Sequence, residues 1–152
     1  MGRGTIRYLV TTNIDGRSTV LKDEEVPAVT WHDIWAFSAE SPYGHAPEPT
    51  TGSLPDMSRG SGRWSVVTLP SAPDMRKALA LGVPGLDSEG FHLTPTIDFI
   101  VVLDGPVTLV LDDGERQLQV GDLVVQRGTN HAWWNYNDYP IRLLTLMLGT
   151  GA

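Results

Sequence analysis

The chain has 152 residues, enough for one domain that buries roughly two thirds of its surface without staples. Eighteen acidic against 11 basic residues give a formal charge of −7, and no Lys/Arg run offers a track for a phosphate backbone, so nucleic acid is not expected as a partner. With no cysteine, disulfide frameworks, thiol nucleophiles, zinc fingers and iron–sulfur clusters are excluded too, and any metal site must use nitrogen and oxygen donors.

No apolar run approaches the ~18 residues of a membrane span, and the start MGRGTIRYLV lacks a signal-peptide pattern, so a cytoplasmic protein without a membrane partner is expected. Residues Thr5–Leu21 hold two β-rich runs, TIRYLVTT and RSTVL, around a turn whose Asp15-Gly16 suits a hairpin. Lys22–Glu25 is a charge cluster read as a solvated loop. The segment AVTWHDIWAF resumes strand composition; its Trp31, Trp35 and Phe37 exceed what an edge strand leaves in water and predict a homodimer contact. Between Ser38 and Gly62, 25 residues hold four Pro, four Gly and five Ser. That composition packs no core and predicts the most mobile part of the chain, at the barrel mouth as a lid or else a passive crossing. RWSVVTLP returns as a strand, and Asp74–Leu81 is the single plausible helix, begun by Asp74 as N-cap.

From Phe91 onward, IDFIVVLDG, VTLVLDDG, RQLQVGD, LVVQRG, HAWWNYND and IRLLTLMLG follow one another with regular turn signals. Asp98, Ile100 and Val102 alternate with Phe99, Val101 and Leu103, so both faces of that strand are expected to be covered, as in a sandwich or barrel. The chain is all-β with at most one short helix. Residues 1–70 read as accessory strands and a long loop, and 71–152 as the barrel core of the same domain.

The candidate chemistry lies in two segments. His92-Leu93-Thr94-Pro95-Thr96-Ile97-Asp98 is followed by six residues and then Gly105; Gly121-Asp122 precedes Gly128-Thr129-Asn130-His131, three residues and Asn135. Positions 92, 94, 96 and 98 share one face of an extended strand, interrupted at Pro95, so His92 and Asp98 are expected to point inward, with His131 brought beside them. Two imidazoles and one carboxylate suit a divalent metal ion (Fe, Mn, Ni, Co or Zn) with open positions. Without a metal, His131 or Asp98 in an apolar cavity would serve as a general base. Gln126 and Arg127 alternate at a strand end, so one of them faces the cavity; Arg127 either holds a carboxylate substrate with its planar fork or pairs with a surface acid. Of Trp133 and Trp134, one turns inward to pack the core or wall the pocket. Tyr136 and Tyr139 are read as surface or dimer contacts, His32 as structural and His45 as solvated.

The two segments resemble the cupin superfamily, whose first motif runs His-x-His, three or four residues, Glu, six residues, Gly, and whose second runs Gly, a short strand, Pro-x-Gly, two residues, His, three residues, Asn. His92 falls on the first His, Thr94 on the second, Asp98 on the Glu, Gly105 on the closing Gly, His131 on the second-motif His and Asn135 on the Asn, while Gln126 replaces the Pro. The resemblance covers about residues 90–149 and implies a double-stranded β-helix, a jelly-roll barrel of about eight core strands. It also implies His92, Asp98 and His131 as metal ligands, with Thr94 a poor substitute for an imidazole and Asp98 one methylene shorter than Glu. The expected function is a metal-dependent lyase of the decarboxylase, dehydratase or cyclase type, acting on a small oxygenated or aromatic acid, with His131, Asp98 and Arg127 as catalytic residues. A mononuclear iron dioxygenase and a non-catalytic small-molecule binder are the alternatives.

Overall fold

The computed structural model describes residues 4–47 and 57–151. Ten strands and one helix follow in order among them: β1 (Arg7–Ile14), β2 (Arg17–Glu25), β3 (Trp31–Phe37), β4 (Gly62–Leu69), α1 (Ala72–Leu81), β5 (Thr96–Val102), β6 (Val107–Leu111), β7 (Gly114–Leu118), β8 (Leu123–Arg127), β9 (Ala132–Trp134) and β10 (Ile141–Gly149). Strands β1 and β2 form a separate hairpin; the other eight make a five-stranded sheet, β3-β4-β10-β5-β8, and a three-stranded sheet, β7-β6-β9. The expected double-sheet jelly roll is present, but two of its eight strands, β3 and β4, come from the stretch read as accessory.

Asp15 and Gly16 turn the first hairpin with φ of 51° and 75°, the left-handed pair that a two-residue turn requires. Lys22–Glu25 is strand, not loop: β2 runs through it, and its charges are matched across the ladder as Arg7 binds Asp23 and Tyr8 donates to Glu24. The hairpin leans on the five-stranded sheet through buried Tyr8, which clusters with Ile34 and Val66, and Trp35 packs against this group. Trp31, Trp35 and Phe37 are therefore half-buried within the chain, not an open apolar patch. The helix begins two residues before the expected start, with Ser71 as N-cap and Pro73 in its first turn, where a missing N–H costs nothing. Its first N–H, from Ala72, is taken by the Asn135 carbonyl.

The space between the sheets changes character along its length. At one end Leu69, Ile100, Val102, Val107, Leu109, Trp133, Ile141 and Leu143 form a buried apolar cluster. At the other, the same inward faces turn polar, through Thr96 and Asp98 on β5, Thr145 on β10 and Gln126 on β8, all buried. Period-two alternation makes this gradient legible within single strands: β5 reads Thr96, Asp98, Ile100, Val102 inward, and β10 runs back as Ile141, Leu143, Thr145, Met147. The opposite face of β5 is not covered as expected, since Phe99 is 43% exposed and its cross-strand partner Val125 is 52% exposed.

The centre of the Ser38–Gly62 segment, residues 48–56, lies outside the described residues. Its return arm, Met57–Ser61, runs against the end of β10: the Gly149 N–H donates to the Ser61 carbonyl, and a side chain at Gly149 would strike the Ser58 carbonyl. Thr150 next bonds the Pro95 carbonyl, so this arm sits at the polar end of the barrel.

Candidate functional site

Pro95 carries no amide hydrogen, and β5 starts only at Thr96. His92 is thus not on β5 but on a separate antiparallel bridge with His131, in which each backbone N–H meets the other's carbonyl at 2.9 and 3.1 Å. A bridge of this kind places both side chains on one face, and the two imidazole centroids lie 4.2 Å apart. Trp133 stands edge-on to His131 at 6.3 Å and joins the apolar cluster below, as expected of the inward tryptophan. Trp134 faces out, stacked on Tyr136 and under the Arg76 guanidinium.

Each ring is fixed from behind. His131 Nδ1 is 2.8 Å from the Thr129 carbonyl and His92 Nδ1 is 3.3 Å from the Gly90 carbonyl. A carbonyl only accepts, so Nδ1 carries the proton in both rings and Nε2 is left as the free nitrogen. Burial, opposed by the Thr129 carbonyl and assisted by the nearby His92, pushes His131 down to about 4, so it is neutral at pH 7.

Asp98 belongs to a different chain of contacts. Its Oδ1 accepts from Thr96 Oγ1 at 2.6 Å, and since that hydroxyl's one proton is spent there, Thr94 Oγ1 must donate to Thr96 Oγ1 at 2.7 Å. Thr94, at the position of the motif's second imidazole, works as the outer link of a hydroxyl relay that orients the carboxyl. Desolvation raises the Asp98 pKa, against the Thr96 hydrogen bond and the attraction of His92.

A divalent metal fits part of this arrangement. The two imidazoles have the donor chemistry of metal ligands, with Nδ1–H on a backbone carbonyl and Nε2 free. Asp98 is not gathered with them: among the described residues no group of three His, Cys, Asp or Glu is placed to hold a metal ion. The expected three-donor convergence is therefore not seen among the described residues: the imidazoles pair on their own bridge and the carboxyl stands on β5, because Pro95 sets His92 apart from the strand that carries Asp98.

Across the sheet, Arg63, Met147, Asp98 and Gln126 stand in one row on four adjacent strands. Gln126 is 3% exposed, and alternation leaves Arg127 on the exposed outer face, which removes it from the expected catalytic set. Arg63 is the inward arginine instead, tied to Asp33, whose carboxylate also takes the Ser65 hydroxyl and the Trp31 indole N–H. The sequence reading missed this cluster because it is split between two accessory strands 30 residues apart and becomes a unit only when β3 pairs β4. Asn135 is structural: its amide donates to the Leu69 and Tyr139 carbonyls while its oxygen accepts from Asn137. Tyr139 packs against the core and donates to the Gly105 carbonyl, and is not a surface contact. His32 meets the Tyr8 hydroxyl at 3.4 Å. A cleft of about 930 Å³ opens between the first hairpin and residues Tyr43–Ala46, and neither His92 nor His131 lines it.

A jelly roll with two imidazoles paired at its polar end defines a small double-sheet barrel protein. Residues 82–147 match the sequence model of the Cupin_2 family, described as a cupin domain, and this stretch of the chain is a cupin domain. Phomopsin biosynthesis cluster protein C′ of Diaporthe leptostromiformis is 62% identical over 45 residues, 29% of this chain and 24% of that protein. The cupin-domain-containing oxidoreductase srdD of Neurospora crassa is 42% identical over 69 residues, 43% of this chain and 35% of that protein. Among solved structures, a Cupin 2 conserved barrel domain protein from Salinispora arenicola is 16% identical with a TM-score of 0.45, covering 79% of this chain and 75% of that one. The matches span about a quarter to a third of the length of these curated relatives. Among the described residues, no helix is long and apolar enough to cross a membrane.

Proposed function

We propose that this chain is a metal-dependent cupin enzyme that acts on a small oxygenated acid by lyase chemistry, of the decarboxylase, dehydratase or cyclase type. The observation that carries the reading is the His92–His131 pair, with both Nδ1 atoms on backbone carbonyls and both Nε2 atoms free. These two residues would hold a divalent ion, which when bound supplies Lewis-acid polarisation of a carboxylate or enolate oxygen. Asp98, desolvated on the next strand and oriented by Thr96, takes and returns the proton that such an elimination moves. The apolar cluster that includes Trp133 closes the barrel behind the site and would keep bulk water out.

A second reading, oxidoreductase chemistry with oxygen, is favoured by relatives such as srdD that are named as cupin-domain oxidoreductases. Incubating the manganese- or iron-loaded protein with a panel of hydroxy and keto acids separates the two. Loss of the acid without oxygen consumption supports the lyase; oxygen uptake in step with acid loss supports the oxidoreductase; a metal-loaded protein that turns over neither leaves a binding cupin. A homodimer belongs to the same proposal, with its contact moved from Trp31–Phe37 to the outer sheet face. There Trp64, Leu146, Phe99 and Val125 form an uncharged row across four strands, extended by Leu123, which is 74% exposed. Val125→Lys should convert the dimer to a monomer in sedimentation at tens of micromolar.

A further inference from the structure

Gln126 is 3% exposed, and its Nε2 is the one buried side-chain nitrogen or oxygen without a hydrogen-bond partner among the described residues. An unmatched buried donor costs about 1–3 kcal/mol, and an apolar side chain of the same length would avoid that cost. The amide is also held still. Its Oε1 accepts from Thr129 Oγ1 at 2.6 Å, and Thr129 is the residue whose carbonyl fixes the His131 ring. One loop residue therefore aims both the free nitrogen of His131 and the free amide of Gln126. In register, Gln126 pairs directly with Asp98, so the donor stands on the barrel's inner face beside a buried carboxyl that has one oxygen engaged by Thr96.

We propose that Gln126 is the substrate-orienting donor of this site: its Nε2, locked by Thr129 beside Asp98, binds the carboxylate or carbonyl oxygen of a 2-hydroxy acid, whose hydroxyl donates to Asp98. The inference rests on the reading that the polar end of the barrel takes an oxygenated acid, and it names the pattern that acid must carry: an acceptor and a hydroxyl donor on neighbouring carbons. A fixed, buried donor discriminates strongly against a ligand that leaves it unmatched. An arginine is not needed for this acid recognition, in keeping with the outward position of Arg127.

The test uses lactate and mandelate as probes, with propane-1,2-diol and 1-phenylethane-1,2-diol as partners that keep the hydroxyl and lack the carbonyl. Wild-type protein should bind each acid at least tenfold more tightly than its diol, and the side-chain amide signals of Gln126 in ¹⁵N spectra should shift on titration with acid and stay with diol. Gln126→Met should lower acid affinity roughly ten- to a hundredfold, leave diol affinity unchanged and leave the metal content unchanged. Thr129→Val removes the same Oγ1–Oε1 bond and keeps the amide, so Gln126→Met should be at least as stable in urea as Thr129→Val; a clearly lower midpoint for Gln126→Met would mean that Nε2 has a structural partner, such as a trapped water, and would overturn the proposal. Equal binding of acids and diols by the wild type, or an acid preference that survives in Gln126→Met, overturns it too. Metal bound without acid preference sinks this inference alone; acid preference without metal binding sinks the metal reading alone.

Discussion

The buried imidazole of His131 sets the pH dependence of stability in the metal-free protein. Its pKa is pushed down to about 4 from an ordinary 6.5, because the folded barrel desolvates the ring. Between those values the unfolded chain binds a proton that the folded chain refuses, so stability falls as pH falls, with a slope approaching ~1.4 kcal/mol per pH unit. From pH 7 to pH 5 this amounts to about 2 kcal/mol, and the loss levels off below about pH 4 once both states are protonated. Asp98 acts in the opposite sense: its raised pKa is a cost at neutral pH that is relieved as the carboxyl protonates in acid, which shallows the lower part of the curve. Urea unfolding at pH 7 and pH 5, in the presence of a chelator, should show the wild type losing about 2 kcal/mol more than His131→Leu, which removes the titrating ring and keeps the apolar bulk. A direct check is the ring titration of His131 by NMR. Equal pH slopes for wild type and variant, or a ring midpoint near 6.5, would refute the desolvation argument.

Thr94→Ala should leave metal content unchanged in elemental analysis while costing about 1 kcal/mol in urea, because the hydroxyl donates to Thr96 and reaches no candidate ligand. Loss of metal in that variant would make Thr94 a ligand. Asn135→Ala removes four hydrogen bonds that fasten Leu69, Tyr139 and Asn137, and should destabilise by on the order of 3 kcal/mol without a specific effect on metal binding in the folded fraction. Gly149→Ala should cost about 1–3 kcal/mol in the same assay, because the new methyl meets the Ser58 backbone and the return arm must move. Arg127→Ala should leave both metal content and acid binding at wild-type levels; loss of either would return Arg127 to the site.

The barrel half of the fold was legible because period-two alternation and glycine turns act locally. The strand runs in 96–149, the hairpin turn at Asp15-Gly16 and the opposite facing of Trp133 and Trp134 all followed from neighbours within a few residues, though which tryptophan turns inward did not. What was not legible depended on pairing. Lys22–Glu25 looked like a loop because its charges are unfavourable alone, and it becomes strand when Arg7 and Tyr8 supply partners from β1. The helix start moved to Ser71 because Ala72 finds the Asn135 carbonyl, 63 positions away. At the site, motif spacing singled out His92, Asp98 and His131, but the break at Pro95 separated the imidazoles from the carboxyl, which spacing along an ideal strand does not register. The choice between Gln126 and Arg127 needed the phase of β8 relative to β5, set by the Asp98–Gln126 register.

The central claim is that the His92–His131 pair binds a divalent metal, and titration of metal-free protein with manganese and zinc tests it most directly. Calorimetry on wild type, His92→Ala and His131→Ala, with circular dichroism to confirm that each variant is folded, should show one ion per chain in the wild type and none in either variant. Metal bound equally by wild type and His131→Ala, or no metal bound by folded wild-type protein, would contradict the account.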